Sequence, residues 1–248
     1  MVGALFTLIY YSTAQVSSKT FSYSPEGSYN SLSISDVDGP VTIMPWSQPS
    51  ILINGTLTAK GLGSSLSTIV LTNSTNNGVL SFQAKFPTSS GILFSQTFTA
   101  AINVYVPSTI RFSSMEVTNV NGGVQITSIN STSVTTTTVN GNISVDCLYC
   151  VNATAISTNG NVTGTFAMLV NNGSYNLTAT NDNINFTAPN SSSFQLSATV
   201  LNGSIYCYMK GCPNSTTASE KTLSTKFNGG GASVNLDSVN GQITLEGT

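Results

Sequence analysis

The sequence contains no histidine, and only 6% of its 248 residues are charged, seven Lys or Arg against nine Asp or Glu. Soluble domains usually carry about 25% charged residues, so some other chemistry must wet this surface. Without histidine the usual general base, the Ser-His and Cys-His nucleophile pairs and the commonest metal ligand are excluded. A net charge of −2 supplies no basic stripe for nucleic acid and no cationic face for a membrane surface. The expectation is a protein that is not an enzyme, needs no cofactor or metal and does not bind nucleic acid. Two carboxylate pairs, Asp36 with Asp38 and Asp146 with Asp182, are the formal remnants of hydrolase chemistry. Asp36-Val-Asp-Gly-Pro40 reads more simply as a turn, and a Ca²⁺ site needs about six to eight oxygens, for which no ligand loop is visible. With so few carboxylates to protonate, the fold is expected to tolerate strong acid.

What is abundant is Asn, with 26 residues, and Ser plus Thr, with 72. They form twelve Asn-X-Ser/Thr sequons, at Asn54, Asn73, Asn130, Asn142, Asn152, Asn161, Asn172, Asn176, Asn185, Asn190, Asn202 and Asn214. The composition alone would give about seven or eight, so turn and strand preference explains part of the excess. N-glycans at these positions would supply the missing hydrophilic surface.

Apolar residues alternate at period two, which predicts an all-β chain. Strand-like runs are Leu32 to Ile34, Val41 to Met44, Ile51 to Leu57, Thr68 to Leu71, Val79 to Phe86 and Phe98 to Val106, the last stopped by Pro107. The second half repeats: Asn-Gly precedes x-apolar-x-apolar at Asn121, Asn140, Asn202 and Asn240, with degenerate copies at Asn159 and Asn181. The spacing is about 20 residues, and the step from 202 to 240 reads as two units. Asn and Gly tolerate positive φ, so each Asn-Gly is expected to close a tight turn. An Asn side-chain ladder that reads a ligand is the alternative. Either a stacked β-solenoid or a sandwich of hairpins fits this period, the stacked form being favoured. The organisation expected is 1–20 as N-terminal strand and linker, 21–112 as an N-terminal β region and 113–248 as the β-repeat region.

Ser33-Ile-Ser-Asp-Val-Asp-Gly-Pro-Val-Thr-Ile43 with Trp46 behind it, Val104-Tyr-Val-Pro107 and the Asn-Gly-x-apolar units together resemble the adhesin-like β-repeat family of prokaryotic surface proteins. The likeness covers roughly Phe21 to the C-terminus and implies a surface-exposed β-repeat body. In overall character, with dense sequons, little charge and an apolar N-terminus, the chain also resembles the pilins of archaeal threads, thin glycosylated filaments. That second resemblance implies head-to-tail assembly by donor-strand complementation in an extracellular appendage.

Four cysteines form two close pairs, Cys147 with Cys150 and Cys207 with Cys212. Their irregular spacing and the sequons favour disulfides over zinc. Three connectivities are compatible with four cysteines, the local pairing being the expectation. Trp46 is expected in the core, with a carbohydrate platform as the alternative.

Met1 to Ala14 carries no charge, and its apolar run stops near residue 11, short of the roughly 20 residues of a membrane anchor. It reads as a secretory segment or as a mature strand, the latter with Val2, Ala4, Leu5, Phe6, Leu8, Ile9 and Tyr10 donated to a groove on another copy. The functional expectation is an extracellular filament subunit whose partners are copies of itself, covalent N-glycans and other cells or surfaces. The alternative is a monomeric cell-surface adhesin or glycan-binding module.

Overall fold

The computed structural model describes residues 16–61, 64–87, 96–213 and 221–248. The proposed donor-strand residues Val2, Ala4, Leu5, Phe6, Leu8, Ile9 and Tyr10, and the sequon at Asn214, lie outside these residues. Alternating side chains build seventeen strands, with no α-helix among the described residues. The first seven are β1 (Val16–Tyr23), β2 (Ser31–Ser35), β3 (Val41–Trp46), β4 (Leu52–Lys60), β5 (Val70–Asn76), β6 (Val79–Lys85) and β7 (Thr97–Pro107). Five follow: β8 (Phe112–Asn119), β9 (Val124–Asn140), β10 (Ile143–Tyr149), β11 (Asn152–Asn159) and β12 (Val162–Phe166). The last are β13 (Ser174–Ala179), β14 (Ile184–Ala188), β15 (Phe194–Cys207), β16 (Thr222–Phe227) and β17 (Ala232–Gly247).

Two sheets face each other. One runs β5, β6, β2, β8, the second half of β9, β11, β13, the first halves of β17 and β15, then β16. The other runs β1, β4, β7, β3, the first half of β9, β10, β12, β14, then the second halves of β17 and β15. Each coil is a strand of the first sheet, an Asn-Gly corner and a strand of the second. Because neighbouring coils pair in parallel, this is a solenoid and not a sandwich of hairpins. Antiparallel pairs, β4 with β7 and β1, β5 with β6, and β16 with β15, finish both ends of the stack. They cover the parallel edges that would otherwise recruit other strands, except along Asn202–Cys207 of β15, which pairs with β17 alone among the described residues.

Between the sheets, side chains stack in columns. One column is Val41, Val124, Ile143, Val162, Ile184, Ile243 and Ile205, each aligned with the next through the strand registers and each at most 2% exposed. Fully burying one such side chain contributes about 1.5–3 kcal/mol, before the entropy of ordering the chain is subtracted. The buried cluster runs without a break from Leu32 to Leu245. β2 pairs with β8 and β3 with β9, joining residues on either side of position 112.

The order of the last coils departs from the sequence. Position 202 precedes position 240 in the chain, yet β17 lies between β13/β14 and β15. The chain leaves β14, builds the outermost coil with β15, turns back through antiparallel β16, and fills the gap with its C-terminal strand.

Candidate functional site

The Asn-Gly corners form a continuous edge. Asn140 donates its Nδ2 to Asn121 Oδ1 at 2.7 Å, Asn159 to Asn140 at 2.7 Å and Asn181 to Asn159 at 2.8 Å. Asn240 then donates to Asn181 at 2.8 Å and Asn202 to Asn240 at 2.9 Å. Six amides thus form one exposed ladder. A second ladder sits two residues on, where side-chain oxygens of Asn142, Asn161 and Asn183 accept the backbone N–H of Asn161, Asn183 and Gln242 in the next coil.

These asparagines are not at positive φ, which corrects the tight-turn expectation. Among the described residues, those at positive φ other than glycine are Asn77, Ser128, Asn172 and Asn228. The glycines of three corners, Gly39, Gly160 and Gly203, do stand at positive φ, 129°, 153° and 159°, and the corners require glycine for a second reason, close approach of stacked backbones. A Cβ on Gly141 would lie 2.1 Å from the Gly122 carbonyl oxygen, and one on Gly241 would lie 2.1 Å from that of Asp182. Inside the corner the same carbonyls meet buried hydroxyls. Thr138 donates to the Gly122 carbonyl at 3.1 Å, Ser157 to Gly141 at 2.9 Å and Ser238 to Asp182 at 3.1 Å. Sequence reasoning missed this inner row, although a Thr or Ser two residues before Asn in three of the corners was its signal. Just before the ladder residues, Val139, Val239 and Leu201 are 41%, 39% and 65% exposed, the last two on adjacent coils, while Thr158 and Thr180 hold the equivalent positions between Val139 and that pair.

The outer faces of both sheets are polar. On the first, Thr135, Thr154, Asn176 and Asn235 stand in register. On the second, Ser144, Thr163, Asn185 and Thr244 do the same. None of the eleven described sequon asparagines is buried. Asn73, Asn152, Asn172 and Asn185 are exposed, and their amides are free of side-chain hydrogen bonds. The Nδ2 of Asn176 donates to Ser174 Oγ at 3.1 Å, that of Asn190 to the Thr248 carbonyl at 3.3 Å and that of Asn202 to the ladder. Asn54, Asn130, Asn142 and Asn161 are exposed or half-buried on the same surfaces.

Both disulfides are local, Cys147 with Cys150 and Cys207 with Cys212, each at a Cα separation of 6.0 Å. The first closes the return corner after β10, where Tyr175 donates its hydroxyl to the Cys150 carbonyl at 2.6 Å and accepts the Val170 N–H at 2.9 Å. Burial raises the Tyr175 pKa, against the Val170 hydrogen bond. Arg111 lies 3.9 Å over the Tyr149 ring at the same corner.

Trp46 is not in the core. It sits half-buried on an outer face, its ring 5.5 Å from that of Tyr105 and its Nε1 donating to the Ser50 carbonyl at 2.7 Å. The carboxylate pairs are not brought together for joint chemistry. Asp36 is buried at a corner and Asp38 lies outside it, and burial raises the Asp38 pKa. Asp146 accepts both the N–H and the hydroxyl of Ser128 at 3.1 and 2.9 Å, while Asp182 begins a corner two strands away. Among the described residues no three of His, Cys, Asp and Glu gather as metal ligands. A shallow groove of about 220 Å³ across β3, β9 and β10 is lined by Pro40, Thr42, Gly123, Gln125, Asn142 and Ser144.

The parallel solenoid with its asparagine corner defines a class, and the chain belongs to the Toastrack DUF4097 family, whose pattern matches residues 25–246. Among solved structures it is similar to a candidate cell adhesion protein from Clostridium sporogenes, at a TM-score of 0.55 and 12% identity over 94% of this chain and 100% of the other. A candidate adhesin from Bacteroides fragilis aligns at a TM-score of 0.35 and 11% identity, covering 94% and 97% of the two chains. A candidate lipid-binding protein from Parabacteroides distasonis aligns at 0.36 and 11%, covering 92% and 96%. At such identities the first likeness establishes the fold alone, in line with the expected adhesin-like β-repeat body. No curated protein matches the chain.

Proposed function

We propose that this chain is the rigid body of an extracellular, N-glycosylated surface protein of adhesin type, contacting other cells or surfaces and performing no catalysis. The observation that carries the reading is the pair of outer faces: columns of Ser, Thr and Asn in register, with every described sequon asparagine at the surface. Sugars on such faces replace the charge the sequence lacks, and the polar columns and the asparagine ladder offer a long surface for many weak contacts. The absence of histidine and a groove lined by uncharged groups support a non-enzymatic role with no cofactor and no nucleic-acid partner. Protease shaving of intact cells tests the reading: peptides of this chain appear in the shaved fraction, and a strain lacking the gene attaches less to cells or surfaces. Peptides confined to the cell interior, or normal attachment by that strain, contradict it.

A second reading, a filament subunit, is favoured by one observation. β1 pairs with β4 alone among the described residues, leaving an open edge at one end of the solenoid that an extended apolar segment of another copy would complete. The residues cast as donor are Val2, Ala4, Leu5, Phe6, Leu8, Ile9 and Tyr10, in an archaeal-thread-like, head-to-tail contact that propagates without closing. Electron microscopy of native material separates the readings. Filaments lost on deletion of residues 1–14 support donation, whereas filaments that persist in the deletion variant, or native material without filaments, contradict it.

A further inference from the structure

The seam between the coil of β2 and β3 and the coil of β8 and β9 holds two buried oxygens without a hydrogen-bond partner, Asp36 Oδ2 and Asn119 Oδ1. Both residues are 1% exposed. They occupy the same position in adjacent coils, since Ser35 aligns with Thr118, Asp38 bridges to Asn121, and the Asp36 N–H donates to the Thr118 carbonyl at 2.9 Å. Neighbouring strands lie about 4.8 Å apart, the spacing across which the exposed asparagines close their bonds of 2.7–2.9 Å. The remaining atoms of both groups are committed. Asp36 Oδ1 accepts the Val37 N–H at 2.8 Å, and Asn119 Nδ2 donates to the Gly39 carbonyl at 2.7 Å. The Gly39 carbonyl therefore fixes the amide orientation, and Oδ1 is left as the free end.

Two buried acceptors that no protein donor reaches forfeit their hydration with no return. One proton satisfies both. We propose that Asp36 is protonated in the folded protein and donates from Oδ2 to Asn119 Oδ1, forming a proton-dependent latch between the N-terminal coil and the repeats that tightens on acidification. The corresponding positions in three later coils already hold neutral donors, Thr138, Ser157 and Ser238, so the protonated carboxyl matches its column while a carboxylate does not.

The electrostatics agree. Burial pushes the Asp36 carboxyl up to about 7 from 3.8, opposed by the backbone N–H groups of Val37 and Asp38 and assisted by the Asp38 charge. Asp38 is the charged group nearest along its own loop. From β8, Glu116 points outward and is exposed; from β6, Lys85 is exposed at the strand end; β3 carries no ionisable side chain, and β7 turns apolar Phe98 and Ala100 inward. For an acid whose folded pKa is raised, the folded state keeps a proton that the unfolded chain releases. The contribution is complete below about 3.8 and is lost as pH rises through about 7. At tenfold per pH unit, the ceiling is a change of about a thousandfold in the folding equilibrium.

Denaturant unfolding of the full chain at pH 4.5 and pH 8, for wild type and Asp36→Asn, tests the latch together with a ¹³C carboxyl titration of wild-type Asp36. The amide of Asp36→Asn supplies the donor without a proton, so the variant is expected to be more stable than wild type at pH 8 and to lose the Asp36 share of the pH dependence. The wild-type carboxyl is expected to titrate well above 3.8. A carboxyl that titrates near 3.8, or an unchanged pH dependence in the variant, overturns the latch. So does a stability set by sodium or calcium instead of pH, which would place an ion between the two oxygens. If the variant fails to fold, the wild-type titration decides alone.

Discussion

At the scale of single residues the corners are governed by contact distance. Gly141 exists because the Gly122 carbonyl stands where its Cβ would be, so Gly141→Ala must push two stacked backbones apart. We expect that substitution to cost about 1–3 kcal/mol in denaturant unfolding. Gly123→Ala, whose Cβ would meet the Asn142 carbonyl oxygen at 3.3 Å, serves as the milder control. The ladder has its own probe. Asn159→Asp removes the donor to Asn140 Oδ1 and sets two acceptors against each other, while the oxygen that receives Asn181 is retained. Exposure limits the loss to about 1 kcal/mol, growing as the new carboxylate ionises above about pH 4. Equal stability of wild type and Asn159→Asp at pH 7 would contradict an energetic role for the ladder. The positions of these residues were legible as a period of about 20, but their role was not. Asn-Gly is the commonest short turn signal, and a coil-to-coil carbonyl contact leaves no trace within one repeat.

At the scale of elements, alternation located the strands well. The runs from Val41, Val79 and Phe98 became β3, β6 and β7, and Pro107 does end β7. The run from Thr68 to Leu71 was placed early, because a short 3₁₀ turn occupies Leu66–Thr68 and β5 continues to Asn76. Which coil neighbours which was not legible, since the spacing of 202 and 240 is the same whether the C-terminal strand lies outermost or slips inward. The disulfides span three and five residues, and short loops restrict the unfolded chain little. Reduction of each is expected to lower stability by about 2 kcal/mol in the loop-entropy model and to leave the β circular dichroism intact. Loss of the fold on reduction would show that the return corners depend on the bridges.

At the scale of the molecule, nine acidic residues in a chain of 248, one of them buried with its pKa raised, leave little for acid to break. β circular dichroism is expected to persist at pH 2, with unfolding midpoints no lower at pH 4 than at pH 8. Hydroxyls and amides wet the surface, and the sugars of the proposed reading separate it from one in which Asn, Ser and Thr merely suit corners and outer strand faces. Glycopeptide mass spectrometry of the protein taken from its native surface makes that separation directly. The account predicts sugars at Asn73, Asn152, Asn172 and Asn185, whose amides are exposed and unengaged, with lower occupancy at Asn176 and Asn202, whose Nδ2 groups already serve the structure. Modification at fewer than about a third of the twelve sequons, or a preference for the engaged asparagines over the free ones, would contradict it.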